Sequence, residues 1–139
     1  MSTLVEPARS VPISNRVDVL VAGGGISGIF AALGSARTGA KTLLVDRFGS
    51  LGGNMGPGLF VGGRVWTPHP VEGGFAGIPK EFVDRVTAEE GPTEPTYPDY
   101  SNRVSYVALR MMEEAGVDLM LSSYVANPIM EIILKVNPE

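Results

Sequence analysis

Gly23, Gly25 and Gly28 stand in the spacing GxGxxG, and an acid, Asp46, follows eighteen residues after the last of them. Each glycine answers a different demand when a chain must wrap a pyrophosphate. The first permits a tight turn, the second lets the diphosphate reach the backbone, and the third lets a helix pack closely on a strand. Free amide groups and the positive end of a helix dipole then face the phosphates. A carboxylate at the position of Asp46 accepts hydrogen bonds from a ribose diol. The chemistry written in these residues is the binding of a dinucleotide, and it requires a strand before the glycines and a helix opening on them.

The flanking sequence supplies both. Val17 to Ala22 is a short, mostly apolar, β-branched run that stops at three consecutive glycines, which is the pattern of a buried strand. Ile26, Ile29, Phe30, Leu33 and Ala36 then recur at helical spacing until Gly39 ends the stripe. Thr42 to Val45 is a second apolar run, closed by Asp46. Strand, helix and strand in this order make a βαβ unit with parallel strands and a right-handed crossover, so the fold class expected is α/β, a Rossmann-like dinucleotide-binding domain.

Further along, Pro79 opens a short amphipathic helix through Phe82, Val83 and Val86, with its charges on a solvated face. Gly91 to Pro98 holds three prolines and reads as a connection. Val104, Ala108, Met111, Met112 and Ala115 form a second helical stripe ended by Gly116, and Val117 to Leu121 reads as a third strand. The expected organisation is an N-terminal extension over 1–15, the nucleotide-binding domain over 16–126 with a loop-rich insertion at 56–100, and a tail over 127–139. For that tail, Asn127 and Pro128 also suit the cap and first position of a short helix. A three-stranded parallel sheet leaves an edge unpaired and implies self-association through it.

Composition narrows the function classes. With no cysteine and a single histidine, His69, the chain offers no thiolate metal site, iron–sulfur cluster, disulfide scaffold or histidine cluster, and no metal site is expected. A net charge of −4 without basic runs gives no footprint for nucleic acid. No apolar window is long enough to span a bilayer, and a cytoplasmic location is expected. Sixteen of the eighteen glycines fall between Gly23 and Gly77, so the backbone of that region carries the function. His69, flanked by prolines, and Trp66 read as ordinary loop residues more readily than as an acid–base group or a stacking platform.

Gly52 and Gly53, six and seven residues past Asp46, are followed by Asn54 and Met55. At this point the sequence resembles the FAD-dependent oxidoreductases of the two-dinucleotide-binding-domain type, which include fumarate-reductase-like enzymes. The resemblance is dense over the first third of the chain: Pro7, Ala8 and Arg9, Asp18 to Gly25, Gly28, Ile29, Ala31, Ala32, Ala36, Arg37, Gly39, Ala40, and Thr42 to Gly53. It implies FAD as cofactor, with Gly23, Gly25, Ile26 and Ser27 at the pyrophosphate and Gly28 closing the turn. It also implies Asp46 at the adenosine ribose, Arg47 on the adenine side, Gly52, Gly53 and Asn54 along the path to the flavin, and the backbone of Val125 at the adenine. Two positions depart from the pattern: Asp46 stands where glutamate is commoner, and Asn54 and Met55 replace a small residue and threonine.

The resemblance implies hydride transfer to or from the flavin, with the protein supplying position and electrostatics. It names neither the substrate nor a catalytic residue. The Gly-Asp segment that such proteins carry late in their sequence is missing, and the expectation is a truncated FAD-binding portion of a larger enzyme, inactive in isolation. A nicotinamide-dependent dehydrogenase domain, which shares the same cradle, and a non-catalytic nucleotide-binding module are the alternatives.

Overall fold

The computed structural model describes residues 10–57, 76–89, 97–126 and 128. Pro7 to Arg9, Trp66, His69, most of the Gly91–Pro98 connection and most of the 127–139 tail lie outside the described residues. In chain order the elements are β1 (Val19–Ala22), α1 (Ile26–Arg37), β2 (Thr42–Val45), a short 3-10 turn (Gly53–Met55), α2 (Gly77–Ala88), α3 (Tyr97–Ala115) and β3 (Asp118–Met120). The three strands form one parallel sheet in the order β1-β2-β3. The register pairs Val19 with Thr42 and Ala22 with Val45 on one side of β2, and Leu43 with Asp118 and Val45 with Met120 on the other.

The central strand β2 is buried at all four residues, as a parallel strand with neighbours on both sides must be. Because side chains alternate across a sheet, Val21, Leu44 and Leu119 share one face, and these meet the helices. Leu44 is fully buried there with Ile29, Ala32 and Leu33 of α1, Phe82 and Val86 of α2, and Val104, Ala108, Met111 and Met112 of α3. Phe30 and Phe82 meet edge to face, with ring centroids 5.5 Å apart. On the opposite face Leu20 remains 54% exposed.

The 56–100 stretch carries α2, as its apolar spacing predicts, and the start of α3. That helix begins at Tyr97, earlier than its apolar stripe implies, because Pro98 falls in the first turn, where a missing N–H costs no intrahelical bond. The three helices are tied across their exposed rims by ion pairs. Arg37 of α1 grips Glu81 of α2 through both of its terminal nitrogens, at 2.6 and 3.0 Å. Arg85 of α2 reaches Glu81 at 2.8 Å and Glu114 of α3 at 2.6 Å. The hydrogen bonds from Arg37 hold the Glu81 carboxyl below its ordinary pKa. Burial of the Tyr100 phenol against the core pushes its pKa up to about 12.

Candidate functional site

The site lies beyond the carboxyl ends of the strands, where open α/β sheets hold their ligands. The three motif glycines occupy three physically different situations. Gly23 has φ +114°, a conformation side chains rarely adopt, and its N–H donates to Val45 C=O at 2.8 Å, pinning the turn to β2. A Cβ on Gly28 would sit 1.8 Å from the Gly23 carbonyl oxygen, so only glycine lets α1 approach the turn this closely. At Gly25 neither reason applies. Its φ of −70° suits any residue, and a Cβ there would meet nothing within 4 Å. Among the described residues none demands glycine at this position, and the space in front of it opens on a cavity.

Gly25 is also the N-cap of α1. It offers no side-chain cap, and the first turn holds no acidic residue. Ile29 N–H, bonded to Gly25 C=O at 2.9 Å, begins the helical ladder. The amides of Ile26, Ser27 and Gly28 therefore have no partner within the helix.

Asp46, 7% exposed, ties the turn to the rest of the site. Its Oδ2 accepts the Gly24 N–H at 2.5 Å and its Oδ1 accepts the Phe48 N–H at 2.9 Å. Its own N–H donates to Met120 C=O at 3.0 Å and its C=O accepts the Ser123 N–H at 2.9 Å. Ser122, with φ +52°, donates its N–H to Phe48 C=O at 3.0 Å. The loops after β2 and β3 are thus stitched to each other and, through one carboxylate, to the glycine turn.

These loops border an open cavity of about 360 Å³, at the lower end of the range of roughly 300–1,000 Å³ for small-molecule sites. Of the residues the sequence singles out, Gly23, Gly25, Asp46, Arg47, Gly53 and Val125 line it. Ile26, Ser27 and Gly28 continue directly into the first turn of α1. Gly52 stands behind the turn, its N–H donating to Gly24 C=O at 2.9 Å, and a Cβ on Gly53 would meet Gly25 Cα at 2.9 Å. The glycine pair is therefore needed for backbone to pack on backbone. Asn54 is exposed in the 3-10 turn and does not line the cavity.

Gly24, Phe48, Ser123 and Tyr124 also line the cavity, and the sequence motifs do not single them out. Their signal in the sequence is positional only: each lies within five residues of the carboxyl end of a strand. The Arg47 guanidinium lies over the Phe48 ring, 4.6 Å from its centroid. Among the described residues no cluster of metal-binding side chains is present, and no helix is long and apolar enough to cross a membrane.

A Rossmann-like parallel sheet with a glycine turn, a helix N-terminus and an acid around one cavity defines a dinucleotide-binding fold. The family model described as FAD dependent oxidoreductase matches residues 18–137, and the chain belongs to that family. Membership selects FAD over a nicotinamide dinucleotide as the cofactor. A protein of Archaeoglobus profundus named for its likeness to a heterodisulfide reductase subunit is 52% identical over 52 residues, which are 37% of this chain and 7% of that protein. A dihydrolipoyl dehydrogenase of Trypanosoma brucei brucei is 49% identical over 45 residues, 32% of this chain and 9% of that protein. Among solved structures, Thermovibrio ammonificans THI4 is similar with a TM-score of 0.46 and 22% identity over 76% of this chain and 38% of that one. The matched stretches thus span less than a tenth of the length of these curated relatives.

Proposed function

We propose that this chain forms the site for the ADP half of FAD in an oxidoreductase that moves a hydride between a small-molecule substrate and the flavin. The turn Gly23, Gly25, Ile26, Ser27 and Gly28 receives the pyrophosphate on backbone amides. Asp46 faces the adenosine ribose with the lone pairs that Gly24 and Phe48 leave free, and Arg47 and the backbone of Val125 flank the adenine. Gly52, Gly53 and Asn54 stand on the side from which the chain of the cofactor leaves toward the flavin. FAD, when bound, supplies the hydride-accepting ring. The residues of this chain bind and orient it.

On its own the 139-residue chain holds the nucleotide without turning over a substrate. The polar side chains around the cavity suit binding rather than proton transfer, and both Asp46 oxygens already accept backbone hydrogen bonds. The observation that carries the reading is Gly25, a glycine that neither its backbone conformation nor any described neighbour requires. A ligand that must touch the backbone there does require it.

The test is an FAD titration of the wild-type chain and of Gly25→Val, followed by flavin fluorescence. A branched side chain in the diphosphate's place should weaken binding well beyond the roughly five-fold effect of one lost hydrogen bond of about 1 kcal/mol. Equal affinity in the two proteins would remove the glycine turn from the binding site.

A further inference from the structure

We propose that Gly24 is the positioning residue for the Asp46 carboxylate, and that the missing side chain there decides whether the acid can meet a ribose. The motif spacing leaves this position open to any residue, and the structure closes it. The proposal rests on the reading of Asp46 as the ribose acid.

Gly24 differs from the three motif glycines. It is buried, and its φ lies outside the left-handed region that favours glycine. A Cβ built on it would stand 2.5 Å from Asp46 Oδ2, 2.6 Å from Leu51 Cδ2 and 3.2 Å from Asp46 Cβ. All three are side-chain atoms, whereas a Cβ on Gly28 strikes backbone. The demand for glycine at this position therefore comes from the acid and from Leu51.

Of the groups that meet here, the carboxylate is the one able to move. The Gly24 C=O accepts the Gly52 N–H at 2.9 Å, and the preceding residue, Gly23, is bonded to Val45 in the central strand. Leu51 is fully buried in the core, where a displaced side chain would overpack its neighbours. The Asp46 backbone is bonded to Met120 and Ser123. Its carboxylate alone can turn away, about the side-chain torsions, and in turning it gives up the Gly24 N–H. An alanine at this position would leave the acid in the chain and take it out of place. Because one contact couples the two residues, a change at Gly24 should affect the ligand only while Asp46 is present.

Calorimetric titration of the full chain with ADP, and with an ADP analogue lacking both ribose hydroxyls, tests this in wild type, Gly24→Ala, Asp46→Ala and the double variant. Wild type should bind ADP about ten-fold more tightly than the analogue, the scale of a hydrogen bond to a charged group. Gly24→Ala should lose that preference and bind the analogue as wild type does. Asp46→Ala should lose it too, and adding Gly24→Ala to Asp46→Ala should weaken ADP no further, since residues in one contact are not additive. A wild-type preference for ADP in Gly24→Ala overturns the positioning role and leaves the reading of the cavity standing. Equal weakening of both ligands by Gly24→Ala also overturns it, because the lesion would then be in the turn itself. A wild type that binds both ligands alike overturns the ribose role of Asp46 and the proposal with it, while the Gly25→Val titration still judges the glycine turn. Denaturation midpoints supply a second cycle should Gly24→Ala be too unstable to titrate. Gly24→Ala should lower the midpoint less in the Asp46→Ala background than in wild type, and an equal loss in both overturns the coupling.

Discussion

Gly28→Ala and Gly25→Ser change two glycines of one motif and should have opposite effects on stability. A Cβ at Gly28 would lie 1.8 Å from the carbonyl oxygen and 3.0 Å from the carbonyl carbon of Gly23, more than an ångström inside the closest approach that real Cβ atoms make. Gly23 cannot yield, because its N–H is bonded to Val45 in the central strand and its φ is already +114°. The helix must move instead, and α1 carries Ile29, Ala32 and Leu33, all fully buried. Overpacking a core costs about 1–3 kcal/mol, and a clash of backbone with a rigid backbone belongs at the top of that range. About 3 kcal/mol is a large share of the roughly 5–15 kcal/mol that hold a domain folded. Gly25→Ser meets open space at an ordinary φ and adds an N-cap hydroxyl, so its stability should hold or rise by up to about 1 kcal/mol. Chemical denaturation followed by circular dichroism measures both. If Gly28→Ala unfolds at the wild-type midpoint, or Gly25→Ser falls as far as Gly28→Ala, the division of the motif into a packing glycine and a ligand glycine is wrong.

Leu44→Ala removes a fully buried side chain from the middle strand and should cost about 2–5 kcal/mol in the same denaturation assay. Asp46→Asn sets an amide NH₂ against either the Gly24 or the Phe48 N–H. It should cost about 1–3 kcal/mol of stability and weaken FAD in a parallel titration. Glu81, whose pKa is lowered in the folded chain by its hydrogen bond to Arg37, should stabilise wild type over Glu81→Gln by up to about 1 kcal/mol, the scale of exposed ion pairs. The sign follows from the lowered pKa: the advantage is complete above the ordinary glutamate value of 4.5 and fades as pH falls through the folded value. Stability curves of the two proteins from neutral to acid pH should therefore converge at the acid end.

The three strands and the first helix are legible in the sequence because each is an apolar run or stripe, the first strand and the helix being stopped by glycine and the second strand by Asp46. Their boundaries are less so. β1 starts at Val19 and not at Val17, since Asp18 N–H and Val19 N–H both go to Lys41 C=O before the regular ladder begins. The glycine turn and Asp46 are legible because few residue types can do what they do. Phe48, Ser123 and Tyr124 are ordinary loop residues by type. Only the register that sets Val45 beside Met120 brings the loops after β2 and β3 together, and no local pattern encodes that register. Gly52 and Gly53 are legible as a pair, but their reasons differ: a Cβ at Gly52 would strike the nearby Gly56 backbone, whereas one at Gly53 would strike Gly25, in a distant segment.

Asp46 shows why so small a portion of sheet can carry a site. The residue after a central parallel strand faces a loop on each side, and here its backbone bonds to the β3 side while its carboxylate bonds to the β1 side. Aspartate is one methylene shorter than the glutamate commoner in the pattern the sequence resembles. Its oxygens accordingly meet the Gly24 and Phe48 amides of the chain itself. A carboxylate oxygen has two acceptor sites, so each retains one for a hydroxyl arriving from the cavity. The shorter acid serves the fold first, and in the function proposed above the ribose must come to it.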